Sequence, residues 1–497
     1  MENLNGLLNG FSVALSPTNV LYCFCGCVLG TLVGVLPGIG PAAAIALLFP
    51  TAMHIDPVAA IIMLAGIYYG AQYGGSTTSI LLNIPGEATS VVTCIDGYQM
   101  ARKGRAGAAL GISAFGSFIA GTIATVGLVF FAPLLANVAL KFGPPEFFTL
   151  TLMCLTMVTY LTKGSFIKAF MMVPLGLILA SVGMDPHSGT FRFAYGSLTL
   201  RDGLGVVPIV MGLFGISEVL INVGTPLQRT FLKTRIKGLF PNLKDWKDSK
   251  WPILRGTLLG FCVGVLPGLG LASTFISYGL EKRISKHPER FGTGTVEGVA
   301  APESCNNASS QASFIPMLSL GIPTNVIMAM ILGALMVYGI APGPLLVKER
   351  PDLFWGLISS MYIGNCMLLV LNLPLIPLWV QILKIPYSYL FPAILIFCVI
   401  GSYTLNNNIG DVIVMFVFGI VGYLMKRFDF EAAPLVLALI LGPLLEDNLR
   451  QALLISRGSF WIFINRPISA AFLIVSFLII VSSLFRLRPK VEVEEVS

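Results

Sequence analysis

The chain has 497 residues, of which 55% are hydrophobic and only 11% charged, with a formal net charge of +7. Soluble domains carry roughly 25% charged residues, and a water-soluble fold of this length could not cover its surface with so few. The 52 glycines and 31 prolines also exclude a bundle of uninterrupted helices, which leaves a polytopic membrane protein whose helices are broken.

The first apolar stretch, 11–36, is long enough to span a bilayer and has no basic segment before it. It is predicted as a first transmembrane helix and not as a cleaved signal. Cys23, Cys25 and Cys27 lie inside it. On a helix, residues two apart point about 200° away from each other, so three sulfurs do not converge on a metal. Further apolar stretches follow at 42–50, 58–72, 107–136, 147–162, 166–183 and 204–223. A second series runs through 252–280, 312–346, 353–383, 388–403, 409–425, 432–445 and 467–485. Several are shorter than a crossing requires, so the expectation is an all-α fold with about 11 or 12 transmembrane helices plus re-entrant or broken segments. Basic residues cluster at Arg102, Lys103 and Arg105, over 229–255, over 282–290 and at Arg486, Arg488 and Lys490. The positive-inside rule makes these segments cytoplasmic and the Lys/Arg-free N-terminus external.

The most informative feature is an internal repeat. Gly34-Val35-Leu36-Pro37-Gly38-Ile39-Gly40 recurs 230 residues later as Gly264-Val265-Leu266-Pro267-Gly268-Leu269-Gly270. Eight of eleven positions are identical between 30–40 and 260–270. Asn83-Ile84-Pro85-Gly86 has its counterpart 238 residues on, in Gly321-Ile322-Pro323-Thr324. Two motifs in the same order argue for duplication. The expected division is a first membrane repeat over 1–224, a basic cytoplasmic linker over 225–251, a second repeat over 252–485 and a cytoplasmic tail over 486–497. The segment after the first motif, 51–57, has no Lys or Arg, whereas 281–290 after the second is strongly basic. That contrast favours inverted repeats. A re-entrant hairpin with both ends inside explains the basic flanks of the second motif equally well.

In a membrane, non-helical backbone survives only where protein or trapped water satisfies it. Pro-Gly-x-Gly ends a helix, and apolar helical sequence resumes after each copy. The resumed half-helix offers unpaired N–H groups and a partial positive charge, which suits an anion; a packing kink is the structural alternative. The polar stretches between paired motifs hold small hydroxyls and amides that can bind carboxylate oxygens or a cation. Such groups also glue helices together. The candidate substrate-binding residues are therefore Pro37, Gly38, Gly40, Ser76, Thr77, Pro267, Gly268, Gly270, Asn306, Asn307 and Thr324. Candidate positions for a coupling ion, sodium among them, are Gly74, Gly75, Thr78, Ser309 and Ser310, through unwound backbone carbonyls and hydroxyls near 74–78 and 306–310. Glu87 and Glu303 are the nearest acids and could carry a proton or help bind sodium. No catalytic assignment follows. Ser76 has no convincing base, and Asn408-Ile409-Gly410-Asp411 lacks the glycine that opens an intramembrane aspartyl protease motif.

As a set, the two Val-Leu-Pro-Gly-x-Gly copies, the stretch 73–87, and 301–308 followed by 320–323 resemble the large membrane subunit of the tripartite tricarboxylate transporter family, the TctA type. The resemblance covers nearly the whole chain, and Cys305 departs from it where a small residue such as alanine is expected. It implies a multi-pass protein of the bacterial inner membrane. The implied partners are a small membrane subunit of the TctB type and a periplasmic solute-binding protein of the TctC type. The implied activity is symport of an organic carboxylate, such as citrate, other di- and tricarboxylates or aromatic acids, with sodium or a proton as coupling ion and no other cofactor. An elevator-like movement follows by analogy. A passive channel and a zwitterion carrier are the alternatives from other classes.

Overall fold

The computed structural model describes residues 2–36, 40–161, 165–223, 238–382 and 387–486. The first half contains α1 (Glu2–Ala14), α2 (Pro17–Val35), α3 (Gly40–Ala52), α4 (Pro57–Leu82), α5 (Val91–Arg102), α6 (Ala106–Ala139), α7 (Pro144–Leu161) and α8 (Phe166–Ala180). A short antiparallel hairpin of β1 (Gly183–Met184) and β2 (Phe191–Arg192) follows, then α9 (Val206–Val223), which is π-helical over Met211–Ile216. The second half contains α10 (Leu243–Gly264), α11 (Gly270–Ile284), α12 (Glu297–Ala312), α13 (Phe314–Leu320), α14 (Val326–Val337), α15 (Pro351–Asn372), α16 (Tyr387–Asn406), α17 (Ile409–Arg427), α18 (Ala433–Ile455) and α19 (Pro467–Arg486).

Among the described residues, six helices are long and apolar enough to cross a membrane: α2, α4, α6, α9, α15 and α17. The chain is an all-α polytopic membrane protein, as its composition predicts. Apolar stretches that looked continuous are divided. The stretch 252–280 breaks between α10 and α11, and 312–346 breaks at 321–325 between α13 and α14. The expected first helix over 11–36 is divided as well, because residues 11–14 end α1 and the crossing helix α2 starts anew at Pro17 behind its Ser16 cap. Residues 225–237 of the expected linker lie outside the described residues, and 243–251 already belong to α10.

Local signals place the helix starts. Ser16 and Asp56 cap α2 and α4 just ahead of Pro17 and Pro57, and the Asp56 carboxylate accepts the Val58 N–H at 2.9 Å. Proline is preorganised for a first helical position, where its missing N–H costs nothing. Asn242 and Asp245 form a reciprocal capping box at the start of α10. Asn83 and Gly321 stop α4 and α13 in the left-handed conformation, with φ of 58° and 70°.

Two helix pairs form the centre. The helix α2 packs along α4, and α10 packs along α12. A Cβ added at Gly26, Gly30 or Gly34 would collide with the carbonyls of Met63, Ile67 and Ala71. At Gly256, Gly260 and Gly264 it would collide with the carbonyls of Ala301, Cys305 and Ser309. These two sets are related by the same offsets of 230 and 238 as the sequence motifs. Small residues at four-residue spacing let helices approach backbone to backbone, as membrane helices require when lipid is as apolar as the side chains. The helix α4 is buried along its whole length from Val58 to Leu82, and α12 from Gly298 to Ala312. A second group, in which α8 packs on α18, α7 on α19 and α9 on α17, flanks this centre.

One buried carboxylate ties the halves together. Asp96 on α5 is fully inaccessible. It accepts the backbone N–H groups of Gly292, Gly294 and Thr295, at 3.0, 2.7 and 3.0 Å, and the Tyr278 hydroxyl at 2.8 Å. The loop between α11 and α12 is thereby wrapped around a side chain of the first half.

Candidate functional site

A cavity of about 500 Å³ lies between the paired-helix centre and the flanking group. Four helix N-termini reach it. Gly40, Pro41, Ala42 and Ala43 open α3, and Gly270 opens α11. Gly86, Glu87, Ala88 and Thr89 lead into α5, and Thr324, Asn325, Val326 and Ile327 lead into α14. Each start carries N–H groups without intrahelical partners and the positive end of a helix dipole. Gly40 and Gly270 leave the space open, since a Cβ at either would meet nothing within 4 Å. Gly268, with φ of 81°, turns its N–H onto the Thr324 carbonyl at 2.8 Å and so joins the α11 break to the α14 start.

The inner wall is polar and comes from α4 and α12. Tyr68 and Gln72 face the cavity from α4, and Asn306, Ser309 and Ser310 from α12. The Asn306 amide donates to Glu87 Oε1 at 2.9 Å, and the Thr89 hydroxyl donates to the same oxygen. With its amide nitrogen turned to the carboxylate, Gln72 lies 2.6 Å from Glu87 Oε2. The outer wall is mostly apolar, from Val158 on α7, Phe214 on α9 and Leu437 on α18. Glu218 and Glu431 also line it, and Glu218 is paired with Lys426 of α17. No Lys or Arg occurs among the described lining residues.

Among the residues singled out from sequence, Gly40, Gly268, Gly270, Asn306, Thr324, Ser309, Ser310 and Glu87 line the cavity. Pro37 and Gly38 lie outside the described residues. Ser76, Thr77, Asn307, Pro267, Gly74, Gly75, Thr78 and Glu303 are buried behind its wall. Ser76 at 2.5 Å, Ser113 at 3.0 Å and Thr93 all donate to the Glu303 carboxylate. Asn307 donates to Ser117 at 2.7 Å, and Thr78 to the Val35 carbonyl at 2.8 Å.

The unwound backbone expected near 74–78 and 306–310 is not there. Both segments are interior to continuous helices, α4 and α12. Their glycines serve close packing instead, with Gly74 against Thr31 and Gly75 against Glu87. Their hydroxyls and amides fold back on the helix, as Ser76 does on the Gln72 carbonyl and Ser310 on that of Asn307. The backbone carbonyls there are committed to the helix and leave an ion little to bind.

Sequence reading missed Tyr68, Gln72, Thr89 and Asn325. Pro85-Gly86 and Pro323-Thr324-Asn325 are helix-start signals in their own right, and reading them as such would have located the third and fourth N-termini. Asn325 caps α14 by accepting the Met328 N–H at 2.9 Å, and its amide nitrogen lies 3.3 Å from the Tyr68 hydroxyl.

The different placements of the two neighbouring asparagines give a direct expectation. Asn306→Ala should weaken uptake about ten- to hundredfold, the value of roughly 1.5–3 kcal/mol for a hydrogen bond to a charged group. Asn307→Ala should lower the melting temperature and leave the apparent affinity of surviving protein unchanged. Uptake and thermal melting measured on both variants would refute the assignment if the two effects were exchanged.

Comparison with known proteins gives a family and two relatives. The family described as "Tripartite tricarboxylate transporter TctA family" matches residues 20–437. An "Uncharacterized 52.8 kDa protein in TAR-I ttuC' 3'region" of Agrobacterium vitis is 51% identical over 500 residues, covering all of both chains. An "Uncharacterized protein in TAR-II ttuC' 3'region" of the same organism is 54% identical over 215 residues, 43% of this chain and 89% of that one. No solved structure matches.

Proposed function

Since the chain belongs to the tripartite tricarboxylate transporter TctA family, we propose that it is the large permease subunit of a binding-protein-dependent secondary transporter. It imports an organic carboxylate across the bacterial inner membrane with a co-transported cation, sodium or a proton. A small membrane subunit and a periplasmic binding protein complete the system. The observation that carries this reading is the convergence of four helix N-termini on one cavity with no basic side chain among its described lining residues. Oriented N–H groups and dipoles attract an anion without placing a fixed positive charge that would hold it permanently.

Charge arithmetic makes the cation necessary. A carboxylate entering a low-dielectric cavity loses hydration worth several kcal/mol. Each helix N-terminus returns about 0.3–1 kcal/mol, and up to about 2 when partly buried. Glu87 sits among those N-termini and opposes a second negative charge. A di- or tricarboxylate therefore needs a cation bound with it.

Topology supports an inverted, elevator-like arrangement. The α10–α11 hairpin is flanked by basic segments at both ends, whereas no Lys or Arg precedes Arg102, so the α2–α3 hairpin has none at either end. The positive-inside rule then brings one hairpin in from each side of the membrane. The cavity lies where the repeat centre meets the flanking helices, the boundary along which such a carrier slides. Glu218 and Glu431 lie close in sequence to the basic residues Lys426, Arg427 and those of 229–237, and by the positive-inside rule this supports a cytoplasmic opening.

The acids of the lining favour one second reading, a zwitterion carrier whose ammonium group pairs with Glu87. Proteoliposomes containing all three subunits separate the readings. Saturable uptake of citrate or another carboxylate should rise with an inward sodium or proton gradient and require the binding protein. Uptake that merely equilibrates without a gradient would indicate a channel. Competition by neutral amino acids, but not by carboxylates, would indicate the zwitterion carrier.

A further inference from the structure

Glu87 and Glu303 are both buried carboxylates, and both are held by neutral donors, yet their positions differ. Glu303 lies behind the cavity wall, its oxygens taken by hydroxyls from α4, α5 and α6. Glu87 lies in the cavity, at the N-terminal end of the short helix Ala88–Ser90 that leads into α5. The groups that bind it, Asn306, Gln72 and Thr89, all line the cavity themselves. Gly75 permits this reach, because a Cβ there would strike Glu87 Cγ at 2.6 Å. Two amides and a hydroxyl converging on one point are a receptor for a carboxylate, and the chain's own carboxylate fills it.

We infer that Glu87 is a tethered anion occupying a carboxylate site of the carrier, so that a substrate carboxylate gains Asn306, Gln72 and Thr89 only when a monovalent cation neutralises Glu87. This rests on the carboxylate-transport reading given above. The titratable groups facing Glu87 supply no such cation: Tyr68 comes from α4, Glu303 from α12, and Glu218 and Glu431 stand across the cavity. One cation is then admitted with each substrate and released with it. A carboxylate and its neutralising cation each raise the affinity for the other by the same factor. A proton would also turn Glu87 from acceptor to donor toward the substrate.

The test compares wild type with Glu87→Gln in proteoliposomes with the small subunit and binding protein, using radiolabelled citrate, succinate and benzoate. Glu87→Gln keeps the shape and removes the charge. It should lower the half-saturating concentration in counterflow about tenfold or more, make it insensitive to both cations, and abolish gradient-driven accumulation. In wild type that concentration should fall either as pH is lowered in sodium-free buffer or as sodium is raised at fixed pH, and the responsive arm identifies the cation. Weaker counterflow in Glu87→Gln, or a wild-type affinity indifferent to both cations, would overturn the inference. Should Glu87→Gln fail to give monodisperse protein, Glu87→Ala carries the same expectation of tighter counterflow. Transport of a probe by wild type with a weakened variant sinks only this inference. Absence of transport of all three probes sinks it together with the function proposed above.

Discussion

Replacing Asp96 by alanine should remove most of the folded carrier from detergent extracts. Three backbone N–H groups and the Tyr278 hydroxyl converge on a carboxylate with no solvent access. Hydrogen bonds to charged acceptors are worth about 1.5–3 kcal/mol each; the donors here lie on half-buried or exposed residues, so water replaces part of what the carboxylate gave. Four such bonds, discounted for that water, are still a large share of the roughly 5–15 kcal/mol that holds a typical domain folded. Gly298 packs so closely on the Asp96 side chain that a Cβ there would overlap it, so the position cannot be relieved by a shift of α12. Asp96→Asn retains one acceptor oxygen but points an amide N–H₂ at the other donors, and should fall between. Fluorescence-detected size exclusion after graded heating measures this. Recovery of Asp96→Ala at wild-type level with an unchanged melting point would show that the loop before α12 holds without its clamp.

Gly30→Ala and Gly260→Ala should each destabilise the protein, and by similar amounts. Alanine is the better helix former by about 1 kcal/mol, so local propensity alone predicts the opposite sign. At both positions, however, an added Cβ would lie well inside 3.0 Å of a backbone carbonyl on the partner helix, that of Ile67 in one copy and Cys305 in the other. A carbonyl committed to its own helix cannot rotate aside as a side chain would, so the helices must separate. Overpacking of this kind typically costs about 1–3 kcal/mol. Gly279 on α11 is the internal control, because a Cβ there meets nothing within 4 Å. Gly279→Ala should be neutral or stabilising by about 0.5–1 kcal/mol. Melting curves in one detergent decide the matter: if Gly260→Ala melts with Gly279→Ala, backbone contact between α10 and α12 is not what the glycine provides.

The residues that line the cavity fall into those with a local signature and those without one. Pro-Gly-x-Gly can be read as a broken helix from covalent geometry alone, and it leads to Gly40, Gly268 and Gly270 without any knowledge of the fold. The second motif pair leads in the same way to Thr324 and Glu87. Gln72 and Tyr68 have no such signature. They belong to a helix buried on every side, so no polar face marks the direction of the cavity. The same lack of contrast misdirected the reading of Ser76, Thr77 and Asn307, which are as polar as Gln72 and Asn306 but point into helix contacts.

By itself, then, the sequence determined the membrane environment, the all-α class, the paired motifs and the helix breaks. Each follows from composition, periodicity or backbone chemistry acting over a few residues. Only the tertiary structure decided which of two similar carboxylates faces the cavity, that four N-termini and not two reach it, and that the glycine-rich segments stay helical. These depend on groups more than two hundred residues apart meeting across helix interfaces, Glu87 with Asn306 and Ser76 with Glu303. Whether a polar side chain binds a ligand or a neighbouring helix is set by what stands opposite it, and local sequence carries no information about that.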